Sequence, residues 1–189
     1  MTDPTPESDR EALAKGLRST RDVLQLRRAL PLEPALVGVG ALPATRSLVP
    51  GSPYEAAWIR VNNRAFADHP DQSGFTVERL HAAFAEPWFD AAGFRLHERD
   101  GRLAAFCWTK VHPPTATEPQ LGEIYVIGVD PDFQGLGLGR GLTLAGLDWL
   151  ANSGVVDAML YVDATNVAAR ALYDHLGFTW RHVDRLYEP

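Results

Sequence analysis

The sequence is poorest in cysteine. Cys107 is the single one in 189 residues, which excludes an internal disulfide framework and suits a reducing compartment. No apolar run reaches the roughly 20 residues that span a bilayer. The opening MTDPTPESDR is polar with no apolar centre, so no secretory signal is expected and the expected location is cytoplasmic. Basic residues are in deficit: 18 Lys and Arg against 24 Asp and Glu leave a formal net charge of −6. A general nucleic-acid binder would carry a basic stripe, and no nucleic-acid or membrane partner is expected. An anionic small ligand is still allowed, because a helix terminus supplies local positive potential on an acidic protein. His69, His81, His97, His112, His175 and His182 show no metal spacing with other ligands, so no metal is expected. Cys107, in the apolar run LAAFCW, reads as a small buried thiol and not as a nucleophile. What is present, 46% hydrophobic and 22% charged residues, is the composition of a globular chain.

Residues 1–9 are expected to be disordered, 10–18 to form a short helix and 22–28 a short strand. Residues 31–53, rich in proline and glycine, have a linker composition. From there the pattern is regular. A helix is expected over 54–67 and a second from the cap Thr76 to Phe84. Strands 93–98 and 102–111 read as a hairpin turning at Asp100-Gly101. A loop fills 112–120, and 121–129 is strongly β. Helix 139–153 places Leu142, Ala145, Gly146, Trp149 and Leu150 on one stripe. Strand 158–163, helix 166–176 closed by Gly177, and strand 178–187 finish the chain. The class is α/β, a mixed and mostly antiparallel sheet flanked by helices. A weak repeat links GLRSTRDVLQL at 16–26 to GFTWRHVDRLY at 177–187. Either residues 10–30 are the tail of a preceding domain of the same fold, or the likeness over so short a stretch is chance.

The segment VDPDFQGLGLGRGLTLAGLDWL at 129–150 places Gly135, Gly137, Gly139 and Gly141 between a strand and a helix. The first amides of a helix have no intrahelical partner and point outward, and the macrodipole adds positive potential there. Glycines let that backbone approach a phosphate. The Walker loop is excluded because no lysine is present in the segment. The dinucleotide fingerprint fails because Arg140 or Leu142 falls where its third glycine belongs. A flexible turn without a ligand would show the same glycines.

Gln134 to Gly139 has the form Q-x-x-G-x-G directly after the strand Ile124-Tyr-Val-Ile-Gly-Val. It resembles the acyl-CoA loop of the GNAT N-acetyltransferase superfamily, and YVDATNVAARALYDHLGF resembles that family's last strand and helix. The resemblance implies the GNAT fold and acetyl-CoA as cosubstrate. Its pyrophosphate would lie on Gln134, Gly135, Leu136, Gly137, Leu138, Gly139 and Arg140. Its pantetheine arm would lie along Ile127, Gly128 and Val129, with Asn166, Val167, Ala168, Ala169, Arg170 and Ala171 flanking it. Within the superfamily, VNNRAFADHPDQSGFT, EPWFDAAGF, FCWTKVHP and LGEIYVIGVDP resemble the mycothiol synthase family of actinobacteria, proteins of two GNAT halves active in the second. Residues 1–43 would then be a disordered start, the remnant tail of a first half and a linker, with 44–189 the acetyltransferase domain.

That resemblance implies acetyl transfer to a primary amine, most specifically the cysteinyl amine of desacetylmycothiol. Glu123 is the expected general base and Tyr173 the acid that protonates the thiolate. Asp71, Lys110, Glu123 and Tyr161 would contact the amine substrate. Side chains 123, 125, 127 and 129 are expected on one face of their strand. Four features depart from the family: most of the first half is missing, Asp71 stands where glutamate is expected, Cys107 where histidine is expected, and the first strand, around Arg46 to Val49, is poorly formed. A GNAT enzyme for another amine, and a CoA-binding domain without activity, stay open as alternatives. So does self-association or pairing with a separate N-terminal half.

Overall fold

The computed structural model describes residues 4–37 and 42–189. Residues 1–3 of the expected disordered start and 38–41 of the expected linker lie outside them. In chain order the elements are α1 (Pro6–Ala14), β1 (Arg18–Ala29), the single turn α2 (Pro34–Val37), β2 (Arg46–Ser47), α3 (Tyr54–Ala65), α4 (Val77–Phe84), β3 (Phe94–Arg99), β4 (Arg102–His112), β5 (Leu121–Val129), α5 (Leu138–Asn152), β6 (Asp157–Asp163), α6 (Val167–His175) and β7 (Thr179–Glu188). The described chain divides into two compact units, Leu30–Ala158 and a smaller one that joins Met1–Ala29 to Met159–Pro189.

In the larger unit the strand order is β2-β3-β4-β5, each pairing antiparallel. The β3–β4 hairpin turns at Asp100 and Gly101, both at positive φ (54° and 71°), the two-residue geometry that matches strand twist. One face of the sheet carries the core. Trp58 from α3, fully buried, meets Phe75, Phe94, Phe106 and Trp108 edge to face at centroid distances of 4.9 to 5.8 Å. α4 begins at Thr76, whose hydroxyl accepts the Arg79 N–H, and closes this face with Leu80.

α5 covers the other face at very short range. A Cβ on Gly146 would lie 2.6 Å from the Cys107 Sγ and 2.8 Å from the Ile124 Cδ1, and one on Gly122 would lie 2.8 Å from Leu150. The expected stripe on α5 is buried apart from a half-buried Trp149, and burial extends to Thr143, Leu144 and Leu147.

In the smaller unit β1 lies between β6 and β7 and pairs antiparallel with β7 from Arg18↔Glu188 to Arg27↔Thr179. The expectation of disorder over 1–9 is corrected from Pro6 onward. Thr5 and Ser8 form a capping box and Pro6 opens the helix, so α1 starts earlier than 10 and ends earlier than 18. β1 is also longer than 22–28, because the long partner strand β7 extends its ladder in both directions. α1 is tied down by charge. Arg185 on β7 grips the Asp22 carboxylate through two bonds of 2.7 Å and reaches Asp9 of α1 at 3.1 Å. The Arg185 bonds hold Asp22 below the ordinary carboxyl value of 3.8, and the Tyr187 hydroxyl first, then Arg185, hold Asp9 below it.

Candidate functional site

β5 decides the chemistry of the larger unit. Lys110 lies opposite Glu123 in the β4–β5 ladder, but Trp108 pairs with Val126 and Thr109 with Ile124, so Tyr125 is a bulge residue. The bulge changes which side chains share a face. Glu123 and Tyr125 lie on the Trp108 face, joined there by Val126. Ile127, opposite Cys107, faces α5 instead. The expected common face for 123, 125, 127 and 129 is therefore corrected: it holds for the first two and breaks at Tyr125. A bulge of this kind leaves no mark in strict apolar alternation.

Glu123 is buried, and its Oε2 lies 2.6 Å from the Nε2 of His112. Beside it the Lys110 ammonium sits 4.5 Å over the Trp88 ring and 5.5 Å from the Tyr125 ring, contacts that favour a cation. Trp88 and Tyr125 meet at 5.2 Å, and both pack against Trp108. Burial first, then the Glu123 charge, push the Tyr125 phenol up; Arg79 opposes them, and Glu86 adds a smaller push. The wall is thus aromatic, with the Glu123 carboxylate and the Lys110 ammonium beside it. Lys110, Glu123 and Tyr125 come together on this wall. Asp71 sits in the turn after α3, where its carbonyl accepts from Arg79 at 2.7 Å and its N–H donates to His69 at 3.1 Å. Trp88, His112 and the exposure of Tyr125 escaped the sequence reading. The alternation of Trp108, Lys110 and His112 along one strand was the available signal for His112.

β5 runs into the glycine segment through a short 3-10 turn, Pro131–Phe133, capped by Asp130, which accepts from the Asp132 N–H. Asp130 is buried and paired with Arg64 at 3.1 Å, while Asp132 bridges Arg64 and Arg102 at 2.8 and 2.7 Å. This clamp fixes where the loop leaves the strand. Gln134, Gly135, Leu136 and Gly137 are exposed. Gly135 and Gly137 adopt φ of 76° and 75°, and a Cβ on either would meet nothing within 4 Å. Backbone conformation, and not crowding, therefore requires glycine at both. Gly137 is the N-cap of α5, so the amides of Leu138, Gly139 and Arg140 open a fifteen-residue helix with no partner inside it. Such a cradle fits a diphosphate. Arg140 also donates to the Leu36 carbonyl of α2. Ile127, Gly128 and Val129 sit opposite Cys107, Phe106 and Ala105 in the ladder.

In the smaller unit α6 begins at Asn166, whose side chain accepts the Ala169 N–H at 3.1 Å. Tyr173 is the buried residue of the helix and meets Phe178 edge to face at 5.7 Å. Val167, Arg170, Ala171 and Asp174 follow one stripe of the helix, which lines an open groove of about 410 Å³ with Leu24, Leu26, Phe178 and Trp180. Ala168 is exposed. The Tyr161 hydroxyl accepts from the Gln25 amide at 2.7 Å, a partner supplied by β1. Cys107 is fully buried and its thiol is pushed up to about 12 by desolvation. Among the described residues no cluster could hold a metal ion, and no helix is long and apolar enough to cross a membrane.

A strand with a buried carboxylate runs into a glycine turn and a helix N-terminus, and comparison of the sequence with known families assigns it. The chain belongs to the acetyltransferase (GNAT) family, whose model matches residues 58–178. Solved structures share the fold: a GCN5-related N-acetyltransferase from Sphaerobacter thermophilus superposes with a TM-score of 0.72 at 24% identity, over 97% of this chain and 56% of that one. More specific relatives are named mycothiol acetyltransferase. The protein from Thermomonospora curvata is 53% identical over 94% of this chain, and that from Kocuria rhizophila 46% over 96%. The chain spans 58% and 62% of the length of those two relatives.

Proposed function

We propose that this chain transfers acetyl from acetyl-CoA to a primary amine, and that the amine is the cysteinyl amine of desacetylmycothiol. The observation that carries the reading is the buried Glu123 on a strand that leads directly into the glycine cradle, beside the aromatic wall of Trp88 and Tyr125. An amine is mostly an ammonium at neutral pH, and a carboxylate must take its proton before it can attack. The acceptor carries one ammonium and many hydroxyls. Glu123 and the wall suit the ammonium, and Lys110 offers donors to hydroxyls.

In this reading Gln134 to Arg140 hold the diphosphate and Ile127 to Val129 lie along the pantetheine arm, with Asn166 to Ala171 flanking it. Amine nitrogen attacks the thioester carbonyl, whose oxygen becomes an oxyanion that backbone amides at Ile127 to Val129 stabilise. The C–S bond then breaks, the thiolate takes a proton from Tyr173, and the proton that the nitrogen sheds on becoming an amide restores the Tyr173 hydroxyl. Asp71 and Tyr161 are read as further acceptor contacts. The segment that carries α1 and β1 is read as the tail of a preceding half, joined by a linker to 44–189 as the acetyltransferase domain. The length of the relatives supports a partner role for such a half.

The test is thiol release from acetyl-CoA in the presence of cysteinyl-glucosaminyl-inositol, run beside a panel of amines, amino acids and peptides. Release that depends on the cysteinyl amine supports the proposal. Release with another amine alone assigns a different acceptor, and binding of acetyl-CoA without release from any amine refutes catalysis.

A further inference from the structure

We propose that His112 is the exit for the proton that the reaction releases, acting through Glu123; the inference rests on the acetyl-transfer reading above. An ammonium nitrogen carries three hydrogens and the amide product keeps one. Of the other two, one ends on the CoA sulfur and one must reach bulk water. Glu123 takes that second proton first, but its side chain is only 9% exposed. A carboxyl so placed has to be emptied before the next turnover.

His112 is positioned to do this. It ends β4, two residues beyond Lys110, so both project from the strand face on which Glu123 lies. Its Nε2 is 2.6 Å from the Glu123 Oε2, while its own side chain is 31% exposed. The pair therefore spans from the buried wall to solvent. An imidazole takes a proton on one nitrogen and releases one from the other, and does so readily near neutral pH. The step balances with His112 as the Nδ1–H tautomer: the proton moves from ammonium to Glu123 and from Glu123 to Nε2, a proton leaves Nδ1 for water, and the ring regains the Nδ1–H tautomer by exchange with water before the next turnover. The other charged and titratable groups around the pair are Lys110 and Tyr125 on the strands, with Arg79 of α4 and Glu86 just after α4 acting on Tyr125. His112 is thus a positioning residue that works on the base and does not touch the amine.

Three variants, His112→Ala, His112→Gln and Glu123→Gln, are compared with the full chain for kcat against pH, acetyl-CoA affinity and response to added imidazole. His112→Ala should lose about 100-fold in kcat at pH 7, the lower end of what a positioned proton-transfer group contributes. Its acetyl-CoA affinity should not change. Free imidazole should restore part of the loss in His112→Ala and none in Glu123→Gln. His112→Gln keeps a hydrogen-bonding side chain but cannot relay, and should stay slow. The deficit should narrow as pH rises past about 8, where an α-amine sheds its own proton. Wild-type kcat and pH profile in both His112 variants would overturn the relay while leaving the acetyl-transfer reading standing. So would a loss that imidazole does not relieve and that appears mainly in the amine KM. A wild-type chain that turns over no amine would overturn both.

Discussion

At the scale of single residues, the proposed reaction divides its proton chemistry between Glu123 and Tyr173, and each proposed role predicts its own signature. Glu123→Gln removes the acceptor for the ammonium proton. It should lower kcat by about 10²- to 10⁴-fold and remove the rise of rate with pH that a base produces, with acetyl-CoA binding intact by calorimetry. Tyr173→Phe keeps the ring against Phe178 at 5.7 Å and deletes only the hydroxyl. It should reduce turnover far more than acetyl-CoA affinity, and equal losses in both would show a packing role instead. Cys107 supplies a negative control. Burial pushes its thiol up to about 12, so a thiol reagent should leave the folded protein unmodified and react once it is denatured. Rapid native labelling would contradict that burial. The residues that could be read from sequence were those in a local pattern, such as the Q-x-x-G-x-G loop and the helix 166–176. His112 and Trp88 were not legible, because their relation to Glu123 depends on how β4 and β5 align and on where the chain between α4 and β3 returns. Neither is a property of a short window.

Elements were legible where local chemistry ends them. Asp100-Gly101, Thr76 and Gly177 each fix a turn, a cap or a C-terminus, and the structure follows them within a residue or so. The misses have a physical cause. α1 starts ahead of the expected 10–18 because Thr5 and Ser8 cap it. β1 outruns 22–28 because its length is set by a partner at the other end of the chain. α5 shows how an element serves the site. Its close seat on β4 and β5 depends on Gly146, and its open N-terminus depends on Gly137. Two alanine substitutions separate these tasks. Gly146→Ala drives a methyl to 2.6 Å from the Cys107 sulfur and should cost about 1–3 kcal/mol, the usual penalty for overpacking a core. Gly137→Ala meets no neighbour but forces a side chain into the left-handed region at φ 75°, costing about 1–2 kcal/mol. Its larger effect should be on acetyl-CoA affinity, because relief of the strain rotates the amides that open α5. Urea denaturation and calorimetry on both proteins check the division, and equal affinity losses would refute it.

For the whole molecule, the decisive feature is that the two ends of the chain make one unit. β1 fills the place between β6 and β7, and Arg185 joins Asp22 and Asp9 from more than 160 positions away in sequence. Residues 10–30 therefore have a structural duty whatever their ancestry. A protein beginning at Leu30 would leave the edges of β6 and β7 open to other chains and should be recovered as aggregate; a monodisperse protein with the native melting temperature would refute this. Arg185→Met tests the same junction by degrees. Arg185 bonding is the leading cause that lowers Asp22, and the Tyr187 hydroxyl with Arg185 lowers Asp9. A carboxyl whose folded value lies below its unfolded value stabilises the fold above the unfolded value, and the gain is lost as pH falls through the folded one. The wild-type advantage over Arg185→Met should therefore be present in full at pH 7, begin to shrink near the ordinary carboxyl value of 3.8, and vanish below it. Urea midpoints for both proteins between pH 7 and pH 2.5 measure the difference directly. Two parallel curves would mean that the arginine acts through its hydrocarbon stem, and identical curves that the β1–β7 ladder holds the junction without it.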